Sequence, residues 1–595
     1  MRIRMPVFLR SHPWLFPFIL ALVVFLPTVT HDFVGLDDPL LVYDNPAVTT
    51  LSTAGIAHVF SSYDPELYIP LTFLSYQFEH AVSGGAPWLF HLTNALLHAG
   101  SVLLLFWILR RITGSSVAAL VASTLFAIHP VQVEAVAWVT ARKDLLSGFL
   151  FLAALALYLR WLEEQSVFRW LSVGTFLLAL LAKVTVLGLP FILLLVDWWR
   201  RELSWQRVRE KWPYFFLSII FGIVAFFGKV GYTGILSPWE QLLLACKSVV
   251  FSLKMLLLPV GLTVFYEQHA PMTVSSPAFF IPLILCVALG VMAIFLARRS
   301  RTFAFGAGIF LIFFVPAFAT FARKNRVFFA SDRYVYLASI GLFLIVGSVV
   351  ARVWQRQSVR PFLALLGVIV VAALVLLSLR QSRTWQNSYA LYQRAIAIDP
   401  QSAVAYNNLG SSLWKQGDEE GAVAAYEQAM AINPLYSFPP FNLGTIARDR
   451  GDDVRAMEMF RQAVTAVEAA HGPFFLEDLA PYYMYAELLE NRGRVEEALE
   501  QYDAAIARAP DLAEPYYNKG VFLQKHGRAR EAMFAFEEAV THHKPYLAAQ
   551  YHLAAVYAEL GHADKAVEQL EAVVAVDPGY EDAARHLQNL RQVVN

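Results

Sequence analysis

The sequence predicts an all-α protein in two parts: a polytopic transmembrane helical domain of about eleven spans, followed by a tetratricopeptide-repeat α-solenoid. Three observations carry this. Apolar residues make up 57% of the 595-residue chain and charged ones only 16%, an excess that ordinary soluble domains do not show. The neutral total also hides two opposite stretches: residues 1–380 sum to +12 and residues 381–595 to −12. Finally, five glycines recur from Pro400 onward at spacings of 34, 42, 34 and 34. The expected domains are therefore 1–380, in the membrane, and 381–595, holding five repeats and a leading half-repeat.

A bilayer-crossing helix needs about 20 mainly apolar residues. Eleven segments approach this: Trp14–Thr30, Leu89–Leu109, Ser115–Ile128, Leu145–Leu162, Trp170–Ala182, Val184–Trp199, Trp212–Lys229, Pro277–Ala297, Phe303–Phe321, Tyr334–Ala351 and Pro361–Leu379. The first follows Arg2, Arg4 and Arg10 without a small-residue cleavage site, so it reads as an uncleaved span. Lys247 and Lys254 interrupt Leu242–Val264, which is expected to be re-entrant or interfacial. With that segment not crossing, the clusters Arg2/Arg4/Arg10, Arg110/Arg111, Arg200 to Lys211, Arg298/Arg299/Arg301 and Arg352/Arg356/Arg360 all fall on the cytoplasmic side. The odd count sends the repeats outside. It also exports the loops Thr30–Trp88, His129–Asp144 and Phe321–Arg333 and the turn at Lys183.

In the C-terminal part, Gly417, Gly451, Gly493, Gly527 and Gly561 each close a turn between two helices. Ala422, Ala456, Ala498, Ala532 and Ala566 repeat their spacing. A period of 34 with a small residue, an aromatic and a closing proline is the tetratricopeptide pattern. Ala422, Tyr426, Ala429 and Pro434 show it, as do Ala498, Tyr502, Ala505 and Pro510. Tyr392, Ala395 and Pro400 match a lone second helix, and the eight-residue excess falls near His471–Pro481. Such an array offers a surface for a polypeptide. Its −12 charge either solubilises it or favours basic partners. Nothing resembles a nucleic-acid surface. Cys246 and Cys286, the only cysteines, form no metal-type pair.

Four exported constellations could carry chemistry. Asp37 and Asp38 lie just beyond the first span; such a pair can hold a divalent cation or take a proton from an acceptor hydroxyl, or simply cap a turn. In the stretch His129 to Asp144, a continuous helix would put Glu134, Trp138 and Arg142 on one stripe. That stripe could contact a ligand or form a helix-joining ion pair. Lys183 suits a phosphate or snorkels to the interface. Arg323-Lys324-Asn325-Arg326 and Ser331-Asp332-Arg333-Tyr334-Val335-Tyr336 gather cations on the outer side, against the usual bias. They fit an anionic ligand such as a lipid phosphate, or headgroup anchoring. No nucleotide-binding loop, HExxH or GxSxG occurs in a suitable context.

At these residues the chain resembles the transmembrane and tetratricopeptide repeat-containing O-mannosyltransferases, polytopic glycosyltransferases of the GT-C class, and their prokaryotic relatives. The matching stretches are Gly35-Leu36-Asp37-Asp38 with Asn45-Pro46, Pro70-Leu71-Thr72, and His91-Leu92-Thr93-Asn94-Ala95-Leu96-Leu97-His98. The most specific is HPVQVEAVAWVTARKDLLSGFLFLAALALY, from His129 to Tyr158; Leu181-Ala182-Lys183, Asp332 to Leu337, and Trp385 with Leu391-Tyr392 follow in order. The resemblance implies transfer of a sugar, mannose by family, from a polyprenyl-phosphate donor to a protein acceptor on the non-cytoplasmic face. It implies Asp37 or Asp38 as catalytic base and Arg142, Lys183 and Arg333 as ligands of the donor phosphate. His129, Glu134, Asp144, Asp332 and Tyr336 would support them, and the repeats would hold the acceptor polypeptide. Ile69 and Val184 depart from the family pattern, which has Arg and Glu there; both departures bear on donor identity. The sparse loops fit a multi-pass bacterial inner membrane protein with periplasmic repeats, or an endoplasmic reticulum protein in a eukaryote. The competing reading is a non-catalytic repeat scaffold for envelope protein assembly.

Overall fold

A computed structural model of the chain describes residues 12–63, 67–164, 167–228, 236–317, 328–469 and 476–594. The chain is all-α. Among the described residues the only strand-like pairing outside helices is an isolated bridge between Glu267 and Phe328. Two compact units emerge, Met1–Gly417 and Asp418–Asn595.

Over the described residues, every segment expected to span contains an apolar helix. Pro87–Thr113, Val139–Glu164, Pro277–Arg299 and Gln357–Trp385 are long and apolar enough to cross a bilayer. Ser116–Ile128 and Pro130–Ala137, bent by 53° at their junction, together pass the same test. Leu15–Thr30, Phe168–Ala182, Trp212–Phe227, Arg301–Phe314 and Ser339–Trp354 are apolar but shorter. A hydrocarbon core about 30 Å thick exceeds the reach of so short a helix at 1.5 Å per residue. Among the described residues, length and composition therefore support four or five crossings, fewer than the eleven expected. The cation run Arg323 to Arg326 lies outside the described residues.

Two helix boundaries position the functional region. Pro70 starts the helix Pro70–Ser83 and Pro87 starts Pro87–Thr113, since proline suits a first turn whose N–H groups are unpaired. The stretch after His129 cannot stay helical. Its chain turns at Pro130, runs one helical turn over Val133–Ala137, and becomes extended at Trp138 (φ −84°, ψ 124°). A 3₁₀ turn at Val139–Ala141 then leads into the helix Arg142–Glu164. The continuous Glu134–Trp138–Arg142 stripe is thereby lost, and each residue finds other partners.

Residues 381–417 belong to the first unit. Trp385 stacks on Trp138 at 5.8 Å. The Tyr392 hydroxyl donates to the Gly35 carbonyl (2.6 Å), and the Gly35 N–H donates to Ser388 (2.8 Å). The chain leaving the helix Arg360–Ser382 thus straps down the loop around Gly35.

In the second unit, helices alternate from Glu419–Ile432 to the closing helix Ala583–Val594. Ala456, Ala498, Ala532 and Ala566 are fully buried where helices cross. All five turn glycines take left-handed φ, from 69° to 82°. Their cost of replacement separates backbone from packing effects. A Cβ at Gly527 meets nothing within 4 Å, so Gly527→Ala loses about 1 kcal/mol through φ alone. At Gly520 a Cβ would sit 2.6 Å from the Phe536 ring, so Gly520→Ala costs roughly 1–3 kcal/mol by overpacking. Denaturant midpoints of the two variants should fall in that order.

Candidate functional site

Asp37 and Asp38 are neighbours with opposite surroundings. Asp38 is fully buried, and both its oxygens accept backbone N–H groups: Val34 at 2.9 Å and Thr140 at 3.1 Å. It therefore ties the loop that follows the first apolar helix to the 3₁₀ turn that precedes Arg142. Asp37 is about half exposed, at 47%, and its carboxylate lies 3.4 Å from the Lys143 ammonium. The two carboxylates serve different partners and do not share one. Among the described residues no group of three or more His, Cys, Asp or Glu is arranged to hold a metal.

Burial pushes the Asp38 carboxyl up to about 7, against two N–H donors that pull it down. Its ordinary value is 3.8. The fold favours the protonated form, so stability present below about pH 4 is lost as pH rises through about 7. Thermal midpoints of the wild type should rise as pH is lowered across that window, and Asp38→Asn should flatten the trend.

Arg142 is 0% exposed and embedded in protein. It donates to Glu79 (2.9 Å), Ser75 (3.3 Å), the Phe90 carbonyl (2.7 Å) and the Asn94 side-chain oxygen. Its guanidinium also sits 5.4 Å from the Tyr76 ring. Asn94, from the same helix as Phe90, donates in turn to the carbonyls of Val136 (3.3 Å) and Trp138 (3.1 Å). Arg142 and Asn94 thus clamp the broken stretch 133–142 against Pro70–Ser83 and Pro87–Thr113. A phosphate could reach this guanidinium only by displacing Glu79.

The residue after it was not singled out from sequence. Lys143 is 6% exposed and faces Asp37. Around it stand Lys183, which pairs with Asp144 at 2.6 Å, and Arg333, which pairs with Glu134. Asp37, Lys143, Asp144, Lys183 and Arg333 all lie within electrostatic reach of one another. Trp138 sits between two of the cations: Lys143 lies 5.7 Å and Arg333 4.7 Å from its ring. Three cations therefore converge with two carboxylates, and of these five Asp144 and Arg333 line a small adjoining cleft. Asp144, Ser147, Thr185, Arg333 and Tyr336 contribute to its walls. One oxygen of Asp144 is buried there with no hydrogen-bond partner.

The remaining expected residues brace this arrangement. Glu134 accepts from Ser331 (2.6 Å), the Asp332 N–H (2.9 Å) and Arg333, so it fixes the Arg333 turn. Asp332 is buried and accepts from the Tyr266 hydroxyl at 2.9 Å; burial pushes its carboxyl upward. The Tyr336 hydroxyl meets His98 Nδ1 at 3.0 Å. His129 lies apart from the cleft: its ring nitrogens contact the Val131 N–H (3.3 Å) and the Leu256 carbonyl (3.2 Å), which makes it a cap for the break at Pro130. Ile69 is buried among Leu41, Val42 and Phe73.

The chain is similar to several known proteins. Family models described as tetratricopeptide repeat match residues 403–436 and 523–590, and one described as TPR repeat matches 384–417 and 491–527. The protein O-mannosyl-transferase Tmtc2 of Drosophila melanogaster is 33% identical over 229 residues, covering 35% of this chain and 24% of that protein. TMTC3 of Mus musculus is 25% identical over 410 residues, covering 60% of this chain and 43% of the relative. TMTC4 of Homo sapiens is 25% identical over 482 residues, covering 68% and 64%. The matches thus span from about a quarter to under two thirds of these relatives' own length. Among solved structures, YrrB, a TPR protein with an unusual peptide-binding site, aligns with 33% of this chain and 97% of its own at 20% identity and a TM-score of 0.27.

Proposed function

We propose that this chain, a relative of the transmembrane and tetratricopeptide repeat-containing O-mannosyltransferases, is a membrane glycosyltransferase. It moves a sugar, mannose by that kinship, from a polyprenyl-phosphate donor to a hydroxyl of a protein acceptor on the non-cytoplasmic face. The repeats dock the acceptor. The single observation that carries this reading is the convergence of Lys143, Lys183 and Arg333 with Asp144 and the half-exposed Asp37.

In the reaction the acceptor oxygen bonds to the anomeric carbon as the bond from that carbon to the phosphate oxygen breaks. The electron pair leaves with the lipid phosphate. Asp37 takes the acceptor proton, which needs a group within hydrogen-bond reach of the incoming hydroxyl. Lys143, Lys183 and Arg333 stabilise the charge that grows on the phosphate, in a setting held by Glu134, Asp144 and Trp138. Asp38 and Arg142 are positioning residues: one anchors the loop that carries Asp37, the other the turn that carries Lys143.

The test is transfer of labelled sugar from a polyprenyl-phosphate donor to a serine- or threonine-bearing peptide by the purified chain in detergent. Transfer that Lys143→Gln and Arg333→Gln weaken chiefly through donor KM supports the reading. Absence of transfer from every polyprenyl-phosphate hexose, with the fold intact, removes it in favour of a repeat scaffold.

A further inference from the structure

The first helices of the last three helix pairs each carry a tyrosine ten residues before the turn glycine: Tyr483, Tyr517 and Tyr551 precede Gly493, Gly527 and Gly561. Equal offset from the turn puts them on the same face of successive repeats. The connecting segments add two more rings. Tyr546 lies 5.2 Å from Tyr517, and Tyr580 lies 5.9 Å from Tyr551. All four of these rings are partly buried and keep an accessible side.

Two carboxylates complete this patch. Glu514 feels the Tyr483 and Tyr546 hydroxyls, and Glu581 feels Tyr517, Tyr551 and Tyr580. Glu514 is partly buried, and burial alone pushes its carboxyl up, with no ion-pair partner among the described residues. Glu581 is exposed and held at φ 41°, in the left-handed region that side chains rarely adopt. Arg585, the cation near Tyr551, is already paired with Asp582. His586 stacks on one side of Tyr551 at 5.8 Å; the patch otherwise offers aromatic faces and negative charge, with its Arg585 committed to Asp582.

We infer that Tyr517, Tyr546, Tyr551 and Tyr580 with Glu514 and Glu581 form a cation-recognising box that takes a lysine or arginine side chain of an extended polypeptide. Aromatic faces attract a cation through their quadrupole, and a partly desolvated carboxylate adds a charge-assisted hydrogen bond. The excess of acidic over basic residues in 381–595 draws the same partner from a distance. This deepens the reading that the repeats dock the acceptor and rests on it: acceptors would carry basic residues in an extended segment.

The test is fluorescence anisotropy on the full chain in detergent. The probes are a labelled Gly-Ser peptide with lysines at alternate positions and its glutamine and glutamate counterparts. The lysine peptide should bind at least about tenfold tighter than the glutamine one, a difference of about 1.4 kcal/mol. Glu514→Gln with Glu581→Gln should erase that preference while circular dichroism stays unchanged. Equal binding of the lysine and glutamine peptides, a preference for glutamate, or a lysine preference that survives both substitutions would overturn the box. Binding is read without turnover, so the two proposals fail separately: lysine preference without sugar transfer removes the glycosyltransferase reading alone, and transfer without lysine preference removes the box alone.

Discussion

Asp37→Asn should lower the sugar-transfer rate by roughly 10²–10⁴-fold, the span expected when a positioned general base is lost. The amide keeps the size of the carboxylate but takes up no proton from the acceptor hydroxyl. Because Asp37 is half exposed and makes a single 3.4 Å contact with Lys143, the fold should not suffer, and yield and thermal midpoint should match the wild type. The change should appear in kcat, with donor KM nearly unaltered. Asp38→Asn behaves differently. An amide can accept only one of the two N–H bonds from Val34 and Thr140, so that variant should lose stability together with activity. A variant pair in which Asp38→Asn kills transfer without structural loss, while Asp37→Asn is silent, would reverse the two roles.

Arg142→Ala should be the most damaging single substitution for folding. It leaves Glu79 and the Asn94 side-chain oxygen buried without their cation, and breaking such a pair costs roughly 3–5 kcal/mol. Lysine should not rescue it, because one ammonium cannot reach Glu79, Asn94 and the Phe90 carbonyl in the fork geometry of a guanidinium. The measurement is detergent-solubilised yield and thermal midpoint beside Arg333→Ala. Arg333 retains 18% exposure, so its loss should weaken donor binding far more than it weakens the fold.

These two arginines also show what the sequence could and could not say. The repeat half was legible because its signal is local. A glycine every 34 residues requires a left-handed turn, and the alanine five residues later requires a close helix crossing. Both rules read the same way in any context. The membrane half was legible at the level of helices, since apolar runs form helices whether or not they are long enough to cross. The resemblance placed Arg142 at the donor phosphate, and an unbroken helix would separately have aligned it with Glu134. The extended backbone at Trp138 removes that alignment, and Arg142 turns instead to Glu79, 63 positions away. No periodicity carries a pairing that distant. Lys143 was passed over for the same reason. Its value comes from Asp37, which only tertiary packing brings near. The opposite charges in Asp37-Asp38 and Arg142-Lys143-Asp144, each beside an apolar helix, were the available hint. Asp37, Lys183 and Arg333 were findable because each is a charged group at the edge of an apolar helix, where charge is costly without a purpose.

In the proposed reaction Asp37 and the three cations around it bind the donor on the non-cytoplasmic side. The most direct check is labelling of Asp37→Cys by a membrane-impermeant maleimide, with Cys246 and Cys286 replaced by serine. Intact cells or sealed right-side-out vesicles should label at this position, and polyprenyl phosphate should slow the labelling. Labelling only after the cytoplasmic face is opened, or labelling that polyprenyl phosphate leaves unchanged, would contradict the claim.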